Sequence, residues 1–100
     1  MSLTNKELIA ATTGAATSER FGVQGTQSIA CSTLVEDEAV TLQYTHDGVL
    51  WQDLVLDNVI QSLSRKHSIL TISGPGMFRC VKSITASPVS VNKWITEAEQ

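Results

Sequence analysis

Ala39-Val40-Thr41-Leu42-Gln43-Tyr44-Thr45, followed at once by His46-Asp47-Gly48, is the most legible stretch of this chain. Val40, Leu42 and Tyr44 alternate with Thr41, Gln43 and Thr45, so an extended backbone has one apolar side and one polar side. That period of two is the mark of a half-buried strand. Asp-Gly readily takes positive φ angles, so His46-Asp47-Gly48 predicts a tight hairpin. The return segment, Val49 to Leu56, places Leu50, Gln52, Leu54 and Leu56 on one face and Val49, Trp51, Asp53 and Val55 on the other. Apolar groups on both faces predict a strand covered on both sides.

The same alternation extends outward in both directions. Downstream, Asp57-Asn58 marks a turn, Val59 to Leu63 a short strand, Ser64 to His67 a polar loop and Ser68 to Ser73 another strand. Ser73-Gly74-Pro75-Gly76 is the strongest breaker in the chain. Beyond it, Met77 to Ala86 has Phe78, Cys80, Ile84 and Ala86 on one face and Met77, Arg79 and Val81 on the other. Pro88 ends that run. Val89 to Ile95 is the last strand, with Val89, Val91 and Ile95 aligned and Trp94 on the opposite side, before the acidic tail Thr96 to Gln100. Upstream, Thr26 to Thr33 alternates, and Glu36-Asp37-Glu38 marks the turn after it. About seven strands, with turns recurring every ten residues or so, predict an all-β fold, an antiparallel β-sandwich; immunoglobulin-like and jelly-roll strand orders both remain open.

Residues 1–18 read differently. Ala10-Ala11-Thr12-Thr13-Gly14-Ala15-Ala16-Thr17-Ser18 is small, polar and uncharged, with no side chain large enough to anchor a core. The expectation is an extended N-terminal arm over 1–18 and one sandwich domain over 19–100. The arm is either a disordered tail or a strap that orders on a neighbouring subunit. Truncating it is expected to leave a folded domain.

Composition narrows the function classes. The 100 residues are 42% hydrophobic and 17% charged, with a net charge of −3. Charge is low against the roughly 25% of an ordinary globular domain, a bland surface that an assembly subunit tolerates. A nucleic-acid partner needs a basic footprint, and the densest basic run is the short Arg65-Lys66-His67, read as a solvated loop. Neither a secretory leader nor an apolar run of about 20 residues is present, which predicts no membrane partner and synthesis in the cytoplasm. Cys31 and Cys80 fall in separate strands among apolar neighbours and read as buried free thiols; without CxxC spacing they make a poor zinc site.

No constellation for catalysis stands out. A nucleophile needs a base within reach, and no G-x-S-x-G elbow occurs. His46 and His67 both fall in loops, and His46-Asp47 is accounted for by the hairpin tip. Consecutive acids at 36–38 do not match the alternating oxygen ligands of a calcium loop. Gly74-Pro75-Gly76 is too short to cradle a phosphate and opens no helix. No enzyme, metal or cofactor is therefore expected. Trp51 reads as core or half-core, whereas Trp94 is the better exposed anchor. The interface candidates are Leu3, Leu8, Ile9, Thr12 and Thr13 of the arm, together with Trp94.

The order Val40-Thr41-Leu42-Gln43-Tyr44, Asp47-Gly48, Trp51-Gln52-Asp53-Leu54, then Leu70 to Lys82 through Gly74-Pro75-Gly76-Met77-Phe78-Arg79-Cys80-Val81, resembles small β-sandwich structural proteins of tailed bacteriophage virions. The likeness spans about residues 20–92. It implies a non-enzymatic virion protein, in the first place a capsid decoration or cement protein. Such a protein binds the outside of a shell as a dimer or trimer, with the major capsid protein as partner. A tail or baseplate component is the alternative, and a carbohydrate-binding sandwich using Trp51 or Trp94 is the second.

Overall fold

The computed structural model describes residues 3–35 and 37–96, and every regular element among them is a strand. In chain order these are β1 (Leu3–Thr12), β2 (Ala16–Thr17), β3 (Phe21–Val23), β4 (Thr26–Cys31), β5 (Ala39–Thr45), β6 (Gln52–Asp53), β7 (Val55–Leu56), β8 (Val59–Ile60), β9 (Ser62–Ser64), β10 (Ile69–Ser73), β11 (Gly76–Lys82) and β12 (Val89–Thr96). Glu36 of the expected acidic turn, residues 1–2 of the expected arm and 97–100 of the acidic tail lie outside the described residues.

Two antiparallel sheets face each other. One has the order β1-β12-β4-β10. The other has the order β2-β11-β5-β6, with β3 also on β11 and β9 also on β5. The chain passes repeatedly from one sheet to the other, so each sheet supplies one wall of a single core. Ile9, Ile29, Ile72, Val89 and Val91 come from the first sheet; Phe21, Val23, Val40, Leu42, Leu63, Phe78 and Cys80 come from the second. Leu34, in the loop between β4 and β5, closes one end. Each fully buried aliphatic side chain contributes about 1.5–3 kcal/mol, which is what holds the walls together.

Strand β5 matches its sequence reading residue for residue: Ala39–Thr45, with Val40 and Leu42 buried and Tyr44 packed on the core. The turn Asp57-Asn58 is also where it was expected. Both residues have positive φ, 53° and 65°, and they join Leu56 directly to its partner Val59, the geometry of a type I′ hairpin. The breaker Ser73-Gly74-Pro75-Gly76 carries the chain from the edge of one sheet to the middle of the other. Gly74 passes so close to Val23 that the Val23 carbonyl stands where a side-chain methyl would go, so only glycine fits.

Four expectations are corrected. First, residues 3–12 are no arm. They form β1, antiparallel to β12 from Leu3 opposite Thr96 to Thr12 opposite Val89, and Ile9 is 5% exposed in the core. The small residues that follow still pair: β2 lies on β11, and the Thr13 carbonyl accepts the Thr85 N–H. Composition hid this because β1 needs only one or two inward side chains to seal a sheet edge. Second, the turn at His46-Asp47-Gly48 is wider than a tight hairpin, since pairing resumes only at Tyr44 opposite Gln52. Third, Val49 to Leu56 is not a single strand. The Asp47 carboxylate accepts the N–H groups of both Val49 and Leu50 at 2.9 Å, and those donors are lost to any ladder. Fourth, the run from Met77 stops at Lys82, and Ile84 is exposed in the crossover to β12. Two of the seven expected strands, 49–56 and 59–63, each divide in two, and β1, β2 and β3 form where no strand was counted, giving twelve among the described residues.

Candidate interaction surfaces

The middle of β5 holds a three-way junction. Leu42 N donates to Gln61 O, Leu54 N donates to Leu42 O, and Gln61 N donates to Leu54 O, all within 2.8–2.9 Å. β6 and β9 therefore lie end to end along the same side of β5, and the six residues 55–60 leave the sheet between them as a separate two-stranded tongue. Its side chains are apolar on both faces: Val55 is opposite Ile60, and Leu56 is opposite Val59. All four are about half exposed or more, at 50%, 50%, 53% and 60% respectively. Ile69, at the start of β10, is also exposed. At the tongue's base lies a cleft of about 280 Å³ walled by Leu42, Leu54, Leu56, Leu70, Ile72 and Phe78.

The outer face of the second sheet carries a polar row across three strands. Arg79 Nε on β11 donates to Gln43 Oε1 on β5 at 2.8 Å, and Gln43 Nε2 donates to Asp53 Oδ1 on β6 at 3.0 Å. The Arg79 guanidinium sits 4.5 Å from the centre of the Trp51 ring, a cation–π contact that occupies one face of the indole. Trp51 is thus half-buried under an arginine, and that face is not open as a sugar platform. At the end of this sheet, the loop after β5 is built around Asp47. Besides the two backbone amides, its carboxylate accepts the Thr45 hydroxyl, while Gly48 N donates back to Thr45 Oγ1. The two backbone hydrogen bonds hold the Asp47 carboxyl down at about 2, against an ordinary 3.8.

The opposite end is tied by Glu38. One carboxylate oxygen accepts Val35 N at 2.9 Å, and the other accepts Ala86 N at 2.6 Å, so a single side chain joins the β4–β5 and β11–β12 crossovers. Those two backbone bonds are the main reason its pKa is lowered. An open concavity beside it is lined by Asp37, Glu38, Arg65, Lys66 and His67 together with Val35. Among the described residues, no group of three His, Cys, Asp or Glu side chains stands close enough to hold a metal ion.

The interface residues expected from sequence scatter. Ile9 is core, Leu8 is half-buried against it, and Thr12 Oγ1 accepts the Gly14 N–H. Thr13 is exposed, with its carbonyl engaged by Thr85. The Leu3 side chain lies outside the described residues, although its backbone pairs with Thr96. Trp94 does face outward, 42% exposed on β12. Cys31 and Cys80 are free thiols, and burial pushes the Cys80 thiol up to about 12.

Sequence reasoning overlooked two inward lysines. Lys82 is 1% exposed and its ammonium donates to the carbonyls of Gly14 and Ser83; Lys93 is buried over the Phe21 ring at 4.9 Å. Burial, then the charge of Lys6, lowers the Lys93 pKa. Their positions were readable, because 78, 80, 82 and 89, 91, 93 share the inward parity.

No family model and no curated protein matches the chain. Among solved structures, it is similar to the crystal structure of SPBc2 prophage-derived protein YomS, at 12% identity and a TM-score of 0.64 over 93% of this chain and 91% of that one. At that identity the likeness is one of fold: both chains build this sandwich over nearly their whole lengths.

Proposed function

We propose that this protein is a non-enzymatic structural subunit of a phage particle, and specifically a decoration protein that binds the outside of a capsid and bridges its coat subunits. The observation that carries the reading is the number of large apolar side chains left in water. Val35, Val49, Leu50, Val55, Leu56, Val59, Ile60, Ile69, Ile84 and Trp94 are all exposed, against a core of thirteen buried apolar residues among those described. Where such residues cluster, as Val55, Leu56, Val59 and Ile60 do on the tongue and Val49 with Leu50 do on the loop after β5, they mark protein contact sites. The sandwich it shares with a prophage-derived protein supports the phage setting, as does the likeness of residues 20–92 to virion β-sandwiches.

The mechanism differs from a strap. With residues 3–12 built into the sheet, attachment falls to surfaces of the sandwich itself: the loop carrying Val49 and Leu50, and the outer face around Trp94. Each contact is small, and a shell presenting many copies multiplies modest affinities through simultaneous engagement.

The test is immunogold labelling of purified particles with antibody to this chain, together with its copy number per coat subunit. Labelling spread over heads, at a fixed ratio to the coat protein, is the expected result. Labelling confined to tails would replace the decoration role with the tail or baseplate role. Particles devoid of the chain would end the reading.

A further inference from the structure

The tongue is out of keeping with its surroundings. Strands that are apolar on both faces belong to sheets covered on both sides, and a lone two-stranded hairpin is marginal in water. Here both faces of residues 55–60 stay about half exposed, and the hairpin hangs from the sheet by the Leu54–Gln61 junction. Next to it lies the cleft between the two sheets, walled by aliphatic and phenyl groups with Gln61, Thr71 and Ser73 at its rim and no charged side chain. Its 280 Å³ is about twice the size of a dry cavity that holds a benzene ring, so it admits branched aliphatic side chains.

We propose that tongue and cleft are the two halves of one self-complementary interface: the tongue of each copy seats in the cleft of a second copy of this chain. The chemistry selects the occupant. A cleft without charge takes an uncharged apolar β-segment, and among the described residues 55–60 is such a segment with both faces exposed, Asp57 lying at its turn. Knob and hole adjoin on one molecule, with Leu56 part of both, so a single two-fold axis beside the tongue satisfies both at once, as an isologous dimer requires. The area fits. A standard interface takes about 800 Å² from each partner, about an eighth of this protein's 6224 Å² surface. The exposed surface of residues 55–60, taken once, together with the cleft lining and Ile69 next to it in sequence, is on the order of that area on each partner. This inference stands apart from the virion reading and holds or falls without any particle.

Sedimentation equilibrium of the full chain tests it, comparing the wild type with Val59→Asp and with the double variant Val59→Asp, Ile60→Asp. The expected result is a wild-type dimer in the micromolar range whose dissociation constant rises at least about tenfold in each variant, the loss typical of truncating a central contact, with the thermal midpoint of the monomer unchanged. A wild type that stays monomeric to high micromolar concentration would overturn the proposal, as would a dimer indifferent to both variants. Amide hydrogen exchange of wild-type residues 55–60 gives a reading that needs no variant. Exchange that slows as protein concentration rises supports the interface, and exchange independent of concentration refutes it.

Discussion

The two open edges of the sandwich are managed in opposite ways. On one side, the ten-residue β1 closes the first sheet, with seven of its residues paired to β12. Its register shifts between Glu7 and Ile9 and again between Ile9 and Thr12, and Lys6 and Glu7 are exposed on it. Irregular pairing and surface charge are the ordinary means of keeping an edge from recruiting another chain. On the other side stand the five-residue β10, the fragments β6 and β9, and an apolar tongue with acid only at its tip. The protein defends one edge and leaves the other sticky.

The largest effect should come from the defended side. Deleting residues 2–12 removes β1, its ladder to β12 and the core side chain of Ile9, and the net stability of a small domain is only about 5–15 kcal/mol. The truncated chain should show no cooperative thermal transition and no β-type circular dichroism. A folded truncation product would restore the arm that composition alone suggests.

A matched pair of substitutions compares the interior with the sticky edge. Leu63→Ala, at a fully buried position on β9, should cost about 3 kcal/mol in urea denaturation. Ile60→Ala, three residues away on the tongue, should cost less than about 1 kcal/mol when measured on the monomer. Equal costs would mean that the tongue is packed in solution and that the contrast between the edges is false.

The smallest effect is local and depends on pH. Asp47 titrates at about 2 in the folded chain, below its ordinary 3.8, so its support for the loop over 46–51 is complete above about pH 4 and disappears as pH falls toward 2. The amide protons of Val49 and Leu50 should lose protection over that window, while Asp47→Asn should abolish its pH dependence. Protection that persists at pH 2 in the wild type would detach the loop from the carboxylate.

How much of this was legible depended on whether side-chain alternation alone set the structure. For β5, β10 and the inward face of β12 it did, because each is half-buried and parity decides which face is inward. The Asp57-Asn58 turn was legible because both residues tolerate positive φ. β1 was not, since an edge strand in a small-residue segment needs few large side chains and takes its pairing from a partner some ninety positions away. The tongue was misread for a subtler reason. Alternation correctly reported two apolar faces over Val49 to Leu56, but no sequence pattern says that Asp47 will capture the first two amides and that the rest will leave the sheet. The polar row Arg79–Gln43–Asp53 depended on register across three strands, which no single stretch encodes. Trp94 was placed correctly because β12 keeps its alternation from Val89 through Trp94.

The pairing of Leu3 with Thr96 brings the polypeptide in and out of the domain at neighbouring positions. Topologically the unit is a closed loop with a narrow neck. A short linker across that neck would permit circular permutation with new ends opened at Asp57-Asn58, and the same neck would let the whole domain be spliced into an exposed turn of another protein without prising its host apart.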